Sequence, residues 1–240
     1  MSTVNTLERV CARAWPPVVA RPLGEWLLRA AGGYTGRANS ALAVGDPGTG
    51  LAEALAEVVA FSREQGIRPS AQAVLGGPVD SALPAQGWEV NLGHPKGAEV
   101  SVLTSPLPSA ADTTAEVAGT PPPGWFELTV GGEPTPAQRA VLTSGAVGFA
   151  SIRRGGELIG AARGSVVDGH LHIGVLEVRA DHRGNGHAKD LLAALDAWAA
   201  RLGATTRVLQ VAIHNQRALA LYGSLGYTES HRYRYWVPAE

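Results

Sequence analysis

Cysteine, methionine and lysine are almost missing from this chain. Among its 240 residues, Cys11 is the one cysteine, Met1 the one methionine, and Lys96 and Lys189 the two lysines. A single thiol excludes an internal disulfide framework and a cysteine-rich zinc site, and it fits a reducing compartment. An excess of one charge is missing too, with a formal net charge of -1 and a pI of 6.7. Proteins that bind polyanions carry a clustered basic surplus, so nucleic acid is not an expected partner. No run of about 18 apolar residues occurs, and Met-Ser-Thr-Val-Asn-Thr-Leu-Glu-Arg at the start has no apolar signal core, so no membrane partner is expected and a cytoplasmic location is. The preference for arginine over lysine, with abundant alanine and glycine, reads as high-GC codon bias and says little about function.

What is present suffices for folding. Hydrophobic residues make up 45% of the chain and charged residues 17%, which supports one large or two small domains with real cores. Residues 105–123 are rich in Pro, Ala, Ser and Thr without apolar periodicity. They read as a linker between an N-terminal domain, 1–104, and a C-terminal domain, 124–240. In the first domain a short helix over Thr6–Ala14 stops at Trp15-Pro16-Pro17, because a residue before proline is driven out of the helical region. Trp26–Ala31 and Arg37–Val44 read as a hairpin. Leu51, Leu55, Val58 and Val59 share one face of an amphipathic helix closed by Gln65-Gly66. A strand over Pro69–Leu75, a short helix over Val79–Leu83 and an extended stretch from Trp88 follow. In the second domain Trp125–Val130 reads as a strand and Pro134–Ser144 as a short helix. Ala146–Arg153 and Glu157–Val167 read as a hairpin across Arg154-Gly155-Gly156.

The chemistry is concentrated between Leu176 and Tyr227. An apolar strand, Ile173–Val178, runs into the polar turn Arg183-Gly184-Asn185-Gly186-His187-Ala188 and then into an apolar helix ending near Leu202. Free N–H groups at such a helix start bind phosphate, and Gly184 and Gly186 allow the backbone to approach an anion closely. After a strand over Arg207–Ile213 comes a second motif, Asn215-x-x-Ala218-x-x-Leu221-Tyr222-x-x-x-Gly226-Tyr227.

At these two motifs the chain resembles the Gcn5-related N-acetyltransferases (GNAT). Their pyrophosphate loop has the form Gln/Arg-x-x-Gly-x-Gly/Ala, matched by Arg183, Gly186 and Ala188, and the second motif stands at the family's distance. The resemblance covers about residues 124–236. It implies a mixed α/β (α+β) fold with a mostly antiparallel central sheet flanked by helices. It also implies acetyl-CoA as cosubstrate without a metal, and an acyltransferase that passes the acetyl group to a primary amine by direct attack on the thioester. In that scheme the backbone of Leu176, Val178 and Ala180 lies along the pantetheine arm. The N–H groups of Arg183, Gly184, Asn185, Gly186, His187 and Ala188 take the pyrophosphate, Asn215 steadies the pantetheine, and Tyr222 stands beside the sulfur as the acid. Two residues compete for the role of base: His172, with an unperturbed pKa of about 6.5, and Glu177, closer to the cofactor strand. The rival function is a non-catalytic acyl-CoA-binding or regulatory module. The amine acceptor stays open, as does the choice between monomer and homodimer.

The order helix, strand, short helix and Gly-aromatic at 51–88 repeats the order at 187–227. This suggests a tandem of two GNAT-like units whose first copy is degenerate, set against an unrelated α+β cap. Neither motif occurs in residues 1–104.

Overall fold

The computed structural model describes residues 3–109 and 111–239. The chain divides into two compact units: unit 1 is Met1–Thr104 with Gln210–Glu240, and unit 2 is Ser105–Leu209.

Unit 1 begins with α1 (Thr3–Ala14), ended as expected by the prolines that follow Trp15. Strands β1 (Val19–Leu23) and β2 (Trp26–Ala30) form an antiparallel hairpin. A 3-10 turn over Gly36–Ala38 leads into β3 (Ala41–Leu42), which is antiparallel to β2 with Leu27 opposite Leu42. The expected hairpin is therefore present, but its second arm starts later because Gly36–Ala38 coils. Helix α2 (Leu51–Glu64) buries Leu55, Val58 and Phe61, and β4 (Ala71–Val74) pairs in parallel with β3. Short helix α3 (Pro78–Ala82), β5 (Trp88–Val90) and β6 (Glu99–Pro106) follow.

Unit 2 contains β7 (Glu116–Ala118), α4 (Trp125–Val130), α5 (Pro136–Thr143), β8 (Val147–Arg154), β9 (Glu157–Val167), β10 (His170–Val178), α6 (His187–Arg201) and the start of β11 (Thr206–Ala212). Its strands lie in the order β7-β8-β9-β10-β11; every pair is antiparallel except the parallel β10–β11. Two expectations are corrected here. Trp125–Val130 is a helix rather than a strand. Gly124 and Gly131 bracket it with φ of 83° and 84°, and a helix lets fully buried Trp125 stack edge-on against Phe149 at 5.1 Å. The segment 105–123 is no free linker either: β7 pairs with β8, and the Thr113 hydroxyl donates to the Asp190 carbonyl at 2.8 Å. Helix α6 approaches the sheet closely because a Cβ at Gly148 would fall 2.8 Å from the Trp198 ring.

The chain returns to unit 1 through α7 (Gln216–Ser224) and β12 (Thr228–Pro238). Strand β12 runs antiparallel between β4 and β6, with Tyr233 opposite both Val74 and Val100, and its end also pairs with β5. Residues 210–240 thus cluster with 1–104, so the expected C-terminal domain, 124–240, does not coincide with one compact unit. The unit 1 core joins Trp26, Leu28, Leu55, Phe61, Trp88 and Trp236. Among the described residues no helix is long and apolar enough to cross a membrane.

Candidate active site

In unit 2 the strand that leads into the Gly-containing turn is set up by its pairing. Strand β10 follows β11 in parallel from His170↔Thr206 to Ile173↔Leu209, and the register with β9 then shifts between Ile173 and Val175, a bulge at Gly174. From Val175 to Val178 the β9 pairing continues, and Leu176 and Glu177 are half-buried while Val178 is buried. Ala180 opens a 3-10 turn, Ala180–His182, so it already lies beyond the strand. Arg179 braces this turn by bonding Asp181 and Glu157, and the bond from Arg179 holds the Asp181 carboxyl below its ordinary range.

The turn itself is exposed. Gly184 and Gly186 have φ of 84° and 85°, with no neighbour near where a Cβ would stand, so the requirement for glycine is conformational. Gly186 caps α6 and its carbonyl accepts from Lys189 and Asp190. Among the described residues, the N–H groups of Gly184, Asn185, Gly186, His187 and Ala188 donate to no protein acceptor. Five successive N–H groups without a protein acceptor thus stand at the start of a 15-residue helix, at the positive end of its dipole. Arg183 folds back, its Nε donating to the Val178 carbonyl at 2.8 Å and its Nη2 to Glu177 Oε1 at 2.7 Å. The ring nitrogens of His187 have no hydrogen-bond partner among the described residues.

The two candidate bases fare differently. His172 is 0% exposed, enclosed in β10 opposite Ser165 and Val208. A proton taken there could not be passed to water, and the alternation that suggested it from sequence gave no sign that both faces of β10 are covered. Glu177 stays 40% exposed and carries the Arg183 ion pair.

In unit 1, Asn215 caps α7, its Oδ1 accepting from Ala218 N at 3.2 Å. Tyr222 lies on the inner side of α7, 8% exposed, its ring 5.5 Å from that of Tyr227. The helix ends in a left-handed Gly226, φ 79°, and the Tyr227 N–H returns to the Tyr222 carbonyl. Burial pushes the Tyr222 phenol up to about 12, and the Arg37 charge pulls it the other way. Arg37, expected at the start of a strand, lies instead in the 3-10 turn Gly36–Ala38.

A family model described as "Probable histone acetyltransferase Rv0428c C-terminal" matches residues 1–236. The chain belongs to this family of acetyltransferases. It is a GNAT-superfamily N-acetyltransferase. It is similar to the uncharacterized N-acetyltransferase YobR of Bacillus subtilis (strain 168), with 26% identity over 98% of this chain and 99% of that one. Its fold resembles that of a GNAT-family protein from Novosphingobium aromaticivorans, with a TM-score of 0.64 and 21% identity over 98% of this acetyltransferase and 99% of the other chain. It also resembles that of a tandem GNAT protein from the clavulanic acid biosynthesis pathway, with a TM-score of 0.54 and 17% identity over 82% and 74% of the two chains.

Proposed function

We propose that this acetyltransferase uses acetyl-CoA and moves the acetyl group to a primary amine by direct attack on the thioester. The observation that carries this reading is the row of five unbonded N–H groups from Gly184 to Ala188 at the start of α6. They suit a pyrophosphate, which a catalyst of this chemistry must hold so that the acetyl carbon is reachable. The backbone of Leu176, Val178 and Ala180 is assigned to the pantetheine arm, which Asn215 helps to hold. Arg183 acts mainly on the loop, tying it to β10 and Glu177.

The amine attacks the carbonyl carbon as a neutral nucleophile, the tetrahedral intermediate collapses, and the C–S bond breaks as the thiolate departs. Tyr222 remains protonated at neutral pH and donates a hydrogen bond to that sulfur. Glu177, through water, is the base that removes the ammonium proton; His172 is set aside because of its burial. One observation favours a second reading, a non-catalytic acyl-CoA-binding module: Glu177 is already engaged by Arg183. Release of CoA thiol on addition of amines separates the two.

We further propose that residues 1–104 descend from a second GNAT copy that has lost both motifs, a reading supported by the tandem fold comparison. Calorimetry tests both proposals together. One equivalent of acetyl-CoA saturates the protein, and Gly186→Asp, which puts a carboxylate where the anion approaches, weakens binding about tenfold or more. A stoichiometry of two, or unchanged affinity in the folded variant, contradicts them.

A further inference from the structure

Beyond the end of β5, unit 1 carries an open recess of about 190 Å³ that shares no residue with either acetyl-transfer motif. It is lined chiefly by Arg68, Glu89, Val90, Asn91, Leu92 and Val237. The volume lies below the roughly 300–1,000 Å³ of sites for drug-sized ligands, so the occupant it fits is small.

The backbone fixes the polar lining residues in advance. Arg68 follows Gly66, whose φ of 63° ends α2, and the turn is closed by the Ile67 N–H on the Ser62 carbonyl at 2.9 Å. Pro69 keeps Arg68 itself out of the helical region. Glu89 stands on β5 opposite Val237 of β12. The Asn91 N–H donates to the Tyr235 carbonyl at 2.8 Å and the Asn91 carbonyl accepts from the His94 N–H at 3.0 Å, while the His94 ring stacks on Tyr235 at 4.5 Å.

The side chains, by contrast, are unsatisfied. Asn91 is only 8% exposed, yet its amide makes no hydrogen bond with any described residue. An amide so enclosed ordinarily has a partner, and the recess is the open side from which one can come. Arg68 and Glu89 are exposed and form no ion pair or hydrogen bond among the described residues, not even with each other. Leu92, on the same recess, leaves 86% of its surface in water.

We propose that this recess binds a free α-amino acid with an aliphatic side chain. Arg68 takes its carboxylate, Glu89 its ammonium group and Asn91 a further hydrogen bond, and Leu92 covers the aliphatic part. A simple anion would satisfy Arg68 and be repelled by Glu89, and a simple cation the reverse; a zwitterion bridges two opposite charges that share a recess without meeting. The planar fork of arginine matches a carboxylate in particular. Nothing in this assignment depends on the acetyl-transfer reading.

The test uses the full chain without acetyl-CoA and three matched probes: leucine, leucinamide, which lacks the carboxylate, and 4-methylpentanoate, which lacks the ammonium group. Calorimetry is expected to show one equivalent of leucine bound, with each analogue weaker by about tenfold or more. Arg68→Gln and Glu89→Gln, both at exposed positions, each weaken leucine by a similar factor and leave the affinity for acetyl-CoA unchanged. Asn91→Leu fills the recess and abolishes leucine binding. Absence of leucine binding to the wild type at millimolar concentration overturns the inference. So does leucinamide or 4-methylpentanoate binding as well as leucine, or leucine binding that survives both Arg68→Gln and Glu89→Gln, which would place the amino acid elsewhere.

Discussion

At the scale of single residues, Tyr222 is where structure and chemistry meet most closely. Its ring is locked against Tyr227 and its hydroxyl is pushed up to about 12, so the group stays a donor throughout the neutral range. Tyr222→Phe keeps the ring packing and removes only the donor. Acetyl-CoA affinity is expected to change by less than about 1 kcal/mol while turnover falls by about 10²- to 10⁴-fold, the contribution usual for one positioned acid. Calorimetry and single-turnover kinetics, run under conditions where chemistry limits the rate, separate the two; wild-type turnover would make Tyr222 a packing residue. The two motifs were legible in sequence because each concentrates unusual residue types in a few positions. The surroundings of Arg37 were not, since its guanidinium meets Trp15 and Gln210, the latter 173 positions away in the chain. The burial of His172 was hidden for a related reason: alternation along a strand shows which residues share a face, not whether that face is covered.

Elements with a strong period were legible. Helices α2 and α6 and the β8–β9 hairpin fall within a few residues of expectation, because a continuous apolar stripe or a Gly-Gly turn decides each of them locally. Helix α4 was misread because aromatic and β-branched residues in Trp125–Val130 suit a strand, whereas the flanking glycines and the burial of Trp125 decide for a helix. Strand β7 was lost in Pro-rich surroundings. One contact between elements leads to a pH prediction. Asp196 on α6 bonds Arg207 on β11 at 3.2 Å, and Arg207 in turn donates to the Ser105 hydroxyl at 2.7 Å. Burial raises the Asp196 carboxyl from 3.8 to about 6 despite Arg207. A folded pKa above the unfolded one means that the folded state holds the proton longer, so this group's contribution to stability is full below 3.8 and declines as pH rises to about 6. Asp196→Asn is expected to remove that slope. The difference in unfolding free energy between wild type and variant, followed by denaturant titration, should fall between pH 4 and pH 6 and be flat above; a flat difference throughout would contradict the assignment.

For the whole molecule, the placement of β12 makes the first and last parts of the chain one folding unit. The strands paired with β12, namely β4, β5 and β6, come from residues before 107. A fragment of residues 105–240 therefore retains α7 and β12 but supplies no strand on either side of Thr228–Pro238. Hydrogen exchange is expected to find the amides of that segment protected in the full chain and exchanging at once in the fragment; retained protection would show that β12 finds support elsewhere. The same arrangement imposes a timetable on synthesis. Strand β6 leaves the ribosome roughly 120 residues before β12 does, and at about 5–20 residues per second this is a delay on the order of ten seconds. Through that interval β4 and β6 hold open edges, the kind of surface that recruits foreign strands. Expression yield should therefore depend on how quickly codons between β6 and β12 are read, and on chaperones that shield nascent chains.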